Sequence, residues 1–158
     1  MRKVRDIMCC DVLFVRPNNS VFDVAKVFSK NNISGAPVIE RGRVVGVISI
    51  SDIVKFMGIR LADGNAVIHE PQSLSLILLN LVKMGKEFMD FRKDLERISK
   101  TEIKYMMSKD VVAIGPNAEL FEAANMMENK DVNRLPVIED GKLVGIVARA
   151  DLIKALVE

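Results

Sequence analysis

Two segments of this 158-residue chain, Val4 to Lys55 and Ile103 to Lys154, align without a gap at a constant offset of 99 positions. Pro37 and Pro136, Gly46 and Gly145, Asp52 and Asp151 are matched in this way, as are Met8/Met107, Asp11/Asp110, Pro17/Pro116 and Phe22/Phe121. About a third of the aligned positions are identical, which marks one supersecondary unit used twice. Each copy is too small to bury an adequate core alone, so the two are expected to share one. The seam between related units is then the natural place for a ligand.

In copy one, Val12-Leu13-Phe14-Val15 reads as a short strand closed by the turn Arg16-Pro17-Asn18-Asn19. Ser20 with Asp23 three residues later reads as a capping box, so a helix begins there. Val21, Val24, Ala25 and Phe28 recur at helical spacing, and Leu120, Ala123, Ala124 and Met127 repeat that stripe; both read as core. Next comes an apolar hairpin, Ala36 to Ile39 and Val44 to Ile48, with Arg41-Gly42 at its turn in copy one and Asp140-Gly141 in copy two. Its β-branched strands predict a sheet covered on both faces. A second helix starts near Asp52 with Ile53, Val54 and Phe56 inward, matched by Leu152, Ile153 and Leu156. The fold class is α+β: tandem β-α-β-β-α repeats, with repeat one at 1–57, a helical insert at 58–102 and repeat two at 103–158.

This duplicated pattern resembles a tandem pair of cystathionine-β-synthase (CBS) domains. The likeness rests on the opening helix ending in Met8 or Met107, the Pro-Val-Ile strand, and the element Gly46-Val47-Ile48-Ser49-Ile50-Ser51-Asp52 with its counterpart Gly145 to Asp151. The resemblance implies pseudo-two-fold symmetry and inter-repeat clefts that take adenosine-containing ligands: AMP, ADP, ATP or S-adenosylmethionine. It implies a regulatory role toward a separate target, an enzyme or a transporter.

The residues suit such a ligand. An ionised carboxylate accepts two hydrogen bonds, so Asp52 matches the vicinal hydroxyls of a ribose. Ser49, Ser51 and the N–H groups of the helix start match phosphate oxygens. The competing reading is that Asp52 and Ser49 simply cap the helix. Copy two keeps Asp151 and loses both hydroxyls, with Ala148 and Ala150 in their places, while Arg149 is either a phosphate partner or a surface side chain. Under the resemblance, Asn133 and Arg134 face the phosphates of a ligand held by Asp52, and Ser34 faces one held by Asp151. Adenine lies against apolar walls from the first strands, Val12 to Phe14 and Val111 to Ala113 with Val112 at its centre, and from Val47 and Ile146, while Pro37 and Pro136 complete the expected ligand-binding set. The cleft on Asp52 is expected to be the tighter.

Within the insert, Leu74, Ile77, Leu81, Met84, Phe88, Phe91, Leu95 and Ile98 alternate at spacings of three and four after Pro71. This seam either pairs with a second chain, making a homodimer, or packs on its own repeats, and Gly85 is a candidate interruption. Self-association is the favoured expectation.

Composition excludes several other classes. Net charge is +2 from 23 basic and 21 acidic residues, without the basic footprint of a nucleic-acid binder. The longest apolar run, Leu74 to Val82, is too short to span a bilayer, and Met1-Arg2-Lys3 leads to Asp6 rather than to a signal core. A cytoplasmic protein is expected. Cys9 and Cys10 read as free thiols without metal-ligand spacing. His69, the single histidine, has no positioned nucleophile or carboxylate pair around it, so neither an enzyme nor a metal site is expected. An interaction scaffold without a ligand is the remaining alternative.

Overall fold

The computed structural model describes residues 2–62 and 86–157, with the side chains of 59–62 and 86–91 left aside. The expected seam positions Leu74, Ile77, Leu81 and Met84, and with them Gly85 and His69, lie outside the described residues. The elements in order are a 3-10 turn Val4–Asp6, α1 Val21–Asn31, β1 Gly35–Glu40, β2 Arg43–Ser49, α2 Ile50–Ala62 and α3 Lys86–Lys100. A second 3-10 turn, Ile103–Tyr105, precedes α4 Leu120–Asn129, β3 Arg134–Glu139, β4 Lys142–Ala148 and α5 Arg149–Lys154.

Each repeat builds a two-stranded antiparallel sheet, β1 with β2 and β3 with β4. The hairpin turns follow from their residues. Arg41 and Gly42 have φ of 52° and 77°, and Asp140 and Gly141 have 52° and 78°, so both central positions are left-handed, the geometry whose twist matches the strands. In β3 the consecutive residues Leu135, Pro136 and Val137 are all buried, and β1 buries Gly35 to Val38, so both sheet faces are covered as the β-branched runs predict. Helix α1 opens as expected: Ser20 Oγ accepts from Asp23 N–H at 3.1 Å and Asp23 Oδ2 accepts from Ser20 N–H at 3.2 Å.

The chain groups into two compact units, Met1–Val15 with Pro37–Val47 and Lys109–Glu158, and Arg16–Ala36 with Ile48–Ser108. We call them the repeat-two and repeat-one units after the helices they contain. In the repeat-two unit, Val4, Ile114, Ala123, Met127, Leu135, Val137 and Val147 form one buried cluster. Val4 reaches it because its N–H donates to Ala118 O at 2.9 Å and the Arg5 N–H to Pro116 O at 3.0 Å. Cys9 and Ile146 then exchange two backbone bonds of 2.9 Å. The opening segment of copy one therefore completes the core that contains copy two's helix.

The repeat-one unit mirrors this arrangement. Ile103 is fully buried, its N–H donates to Asn19 O at 2.9 Å, and the Lys104 N–H donates to Pro17 O at 3.0 Å. Helix α3 packs on α1, with Ile98 buried and Leu95 half-buried. Beside Ile103, Lys104 Nζ lies 2.7 Å from Glu102 Oε2. The hydrogen bond to that carboxylate, together with its charge, raises the Lys104 pKa above the ordinary value.

Three expectations need correction. Val12 to Val15 is not a strand: only Val15 pairs, as a single parallel bridge to Val38, and in copy two only Ile114 pairs, with Val137. Ala25 and Ala124 are exposed, because the buried arc of each helix is narrower than the apolar stripe. Ile153 and Leu156 are exposed rather than inward; Ile153 lies on a face of α5 that no other described element covers, and Leu156 lies past the end of α5 at Lys154.

Gly145 permits a close approach of the opening segment to β4. A Cβ there would stand 2.6 Å from Met8 Sδ, 2.9 Å from Met8 Cγ and 3.1 Å from Cys9 O. The Met8 side chain can swing away, but the Cys9 carbonyl is fixed by its bond to Ile146. Gly145→Ala is expected to cost about 1–3 kcal/mol by overpacking, read as a lower urea midpoint at unchanged slope. Combining it with Met8→Ala should recover part of that loss.

Candidate functional site

Within each repeat, the aspartate singled out above stands where the second hairpin strand becomes a helix. In copy one β2 ends at Ser49 and α2 starts at Ile50. Asp52 Oδ2 accepts the Ser49 N–H at 2.9 Å and the Ser49 hydroxyl at 2.9 Å, and the Asp52 N–H faces Ser49 Oγ at 3.3 Å. The Ile50 N–H donates to Ser34 O at 3.0 Å, tying the loop before β1 to the helix start. The repeat-one unit thus brings together Ser34, Ser49, Ser51 and Asp52, with Asp52 half-buried and Ser34 and Ser51 exposed.

Copy two repeats the frame with fewer polar atoms. Asp151 Oδ2 accepts the Ala148 N–H at 2.8 Å, and the Arg149 N–H donates to Asn133 O at 3.0 Å. No hydroxyl is present at Ala148 or Ala150. The Arg149 guanidinium lies along α4, its Nη2 3.4 Å from Met127 O. Asn133, Arg134, Pro136, Arg149, Asp151 and Val112 all belong to the repeat-two unit.

The capping reading of the two aspartates is therefore satisfied: each, from the third position of its helix, accepts the backbone N–H of the residue that precedes the helix, the reach-back half of a capping box. All the hydrogen bonds described for both carboxylates use Oδ2. Capping leaves the second oxygen for another donor, so the two roles are compatible.

The apolar residues divide. Val12 and Val112 are half-buried. Pro37 and Pro136 are buried, and their carbonyls accept the N–H groups of Val15 and Ile114 at 3.0 Å each. Sequence reasoning gave little weight to three exposed large side chains near these segments, Leu13, Phe14 and Tyr105. Cys9 and Cys10 are free and exposed. Among the described residues, no group of three or more His, Cys, Asp or Glu is placed to hold a metal, and no helix is long and apolar enough to cross a membrane.

Comparison with known proteins gives a consistent picture. The CBS domain model matches residues 4–59 and 101–158. An uncharacterised protein of Methanocaldococcus jannaschii is 40% identical over 156 residues, spanning 98% of this chain and 90% of its own length. Among solved structures, the Arabidopsis thaliana protein CBSX2 in complex with AMP matches with a TM-score of 0.67 at 24% identity, covering 99% of this chain and 97% of that one. The CBS domain pair of protein MJ0100, in complex with 5′-methylthioadenosine and S-adenosyl-L-methionine, matches with a TM-score of 0.67 at 20% identity, covering 99% and 96%. These likenesses establish the CBS pair fold.

Proposed function

Because the chain belongs to the CBS domain family, we propose that it is a regulatory module that senses an adenosine-containing ligand and alters the activity of a target enzyme or transporter. The observation that carries this reading is the recurrence of a half-buried carboxylate, Asp52 and Asp151, in the first turn of a helix at a strand end, each capping through Oδ2 alone among the described residues. The AMP, 5′-methylthioadenosine and S-adenosylmethionine held by other CBS pairs support the ligand class.

In this reading Asp52 takes the ribose hydroxyls, Ser49 and Ser51 serve phosphate, and Asn133 and Arg134 are further phosphate-binding residues. Asp151 takes the ribose of a second ligand, and Ser34 is a further ligand-binding residue. Arg149 reaches phosphate there only by leaving Met127 O. Val12 and Val112 border adenine, and Pro37 and Pro136 belong to the ligand-binding set. AMP, ADP, ATP and S-adenosylmethionine are the candidate ligands, the cytoplasm is the compartment, and a homodimer is the working unit.

A non-binding scaffold is the second reading, favoured by the fact that helix capping alone accounts for Asp52 and Asp151. A thermal-shift panel separates the two. A ligand at 100 times its dissociation constant stabilises by about 2.7 kcal/mol, so at least one adenosine compound should raise the melting temperature while guanosine analogues should not. No shift with any of them selects the scaffold.

A further inference from the structure

The two cysteines of the chain stand side by side at Cys9 and Cys10, and both thiols are free and exposed. Free cysteine ordinarily packs inside as a small hydrophobe, so two in solvent do not serve the core. Copy two carries Ser108 and Lys109 at the same positions, so the frame of the opening segment does not need sulfur. The backbone holds the pair in place. Cys9 exchanges two bonds of 2.9 Å with Ile146, and the chain bends at Cys10 and Asp11. In a strand, neighbouring side chains point to opposite faces. Here the Cys9 thiol instead donates to Asp11 O at 3.6 Å, which turns its sulfur forward along the bend. The third sulfur of the run, that of Met8, packs against Gly145.

Such a pair can close on itself or on an ion, and distance decides between the two. Cα atoms across the trans Cys9–Cys10 peptide are about 3.8 Å apart, short of the roughly 4.4–6.8 Å that a disulfide spans. A cation between the sulfurs lengthens the bridge and removes that misfit. Zinc takes four ligands, and among the described residues no group of three or more His, Cys, Asp or Glu forms around the pair. Iron–sulfur clusters also need more thiolates than two. Of the ions that thiolates select, copper(I) is the one satisfied by a pair.

We infer that Cys9 and Cys10 together chelate one soft, thiophilic cation of low coordination number, with copper(I) as the type. On binding, two S–H bonds give way to two S–Cu bonds, both protons pass to solvent and no electron is transferred. The missing four-ligand spacing, which speaks against a metal site in the sequence, has no bearing on an ion that needs two ligands. Neither thiol has a part in the proposed adenosine binding.

Anaerobic competition between the full chain and the chromophoric chelator bicinchoninate, with copper(I) as the probe, tests this. The wild type should withdraw one copper(I) per chain, and X-ray absorption should show two sulfur neighbours at the metal. Two linked ligands exceed one by about 10²–10⁴-fold, so Cys9→Ser and Cys10→Ser should each lose at least about a hundredfold in affinity. Both positions are exposed, so both variants should keep the native circular dichroism. A wild type that leaves copper(I) with the chelator would overturn the inference. So would a single variant that binds as tightly as the wild type, or half a copper(I) per chain with two chains joined, which would make each cysteine a lone ligand in a bridged pair.

Discussion

Ile103→Ala is expected to lower the unfolding free energy by about 2–5 kcal/mol, the range for emptying a fully buried aliphatic site. Ile103 has no solvent exposure, and its carbonyl also accepts the N–H groups of Met106 and Met107 at 3.0 and 2.8 Å. Tyr105 sits two residues away on the same turn but is 67% exposed, so Tyr105→Ala should change little. The location of the damage is as informative as its size. Ile103 opens copy two in sequence, yet it packs in the unit that contains α1. Hydrogen exchange in Ile103→Ala should therefore lose protection first in α1. Loss confined to α4 instead would contradict the exchange of opening segments.

Replacing Asp52 is expected to produce the largest effect on ligand binding. Asp52→Asn is the informative change, because the amide oxygen can still accept the Ser49 N–H that now bonds Oδ2 at 2.9 Å. The charge and one acceptor are lost. Hydrogen bonds to charged groups contribute roughly 1.5–3 kcal/mol, so affinity for AMP should fall by about tenfold or more while the fold persists. Asp151→Asn should matter less, since its cleft offers Ala148 where copy one has the Ser49 hydroxyl. Equal losses at both positions would remove the expected inequality of the two clefts.

Much of the fold was legible in local chemistry. Asp140-Gly141 marked a hairpin because both positions must take positive φ, and Ser20 with Asp23 marked a helix start because their side chains can satisfy each other's backbone N–H. What escaped depended on partners distant in the chain. An apolar run such as Val12 to Val15 becomes a strand only where a neighbour offers an unpaired edge, and Val38 offers one to Val15 alone. The opening segments are similar enough, with Val4 matching Ile103 and Met8 matching Met107, that periodicity contains no instruction for which core each should enter. Ile153 and Leu156 fell on a helical stripe, and a stripe records apolar spacing without recording what covers it. At the candidate site, residue types supported capping and ligand contact alike, and the bond geometry shows capping while leaving one oxygen of each carboxylate to spare.

Calorimetric titration of the wild-type chain with AMP and with ATP, repeated on Asp52→Asn and Asp151→Asn, is the most direct measurement of whether these strand-end carboxylates hold an adenosine ligand. The account predicts saturable binding by the wild type, with a tight phase that disappears in Asp52→Asn and survives in Asp151→Asn. A tight phase removed by Asp151→Asn and kept by Asp52→Asn, or no heat of binding with either nucleotide, would contradict it.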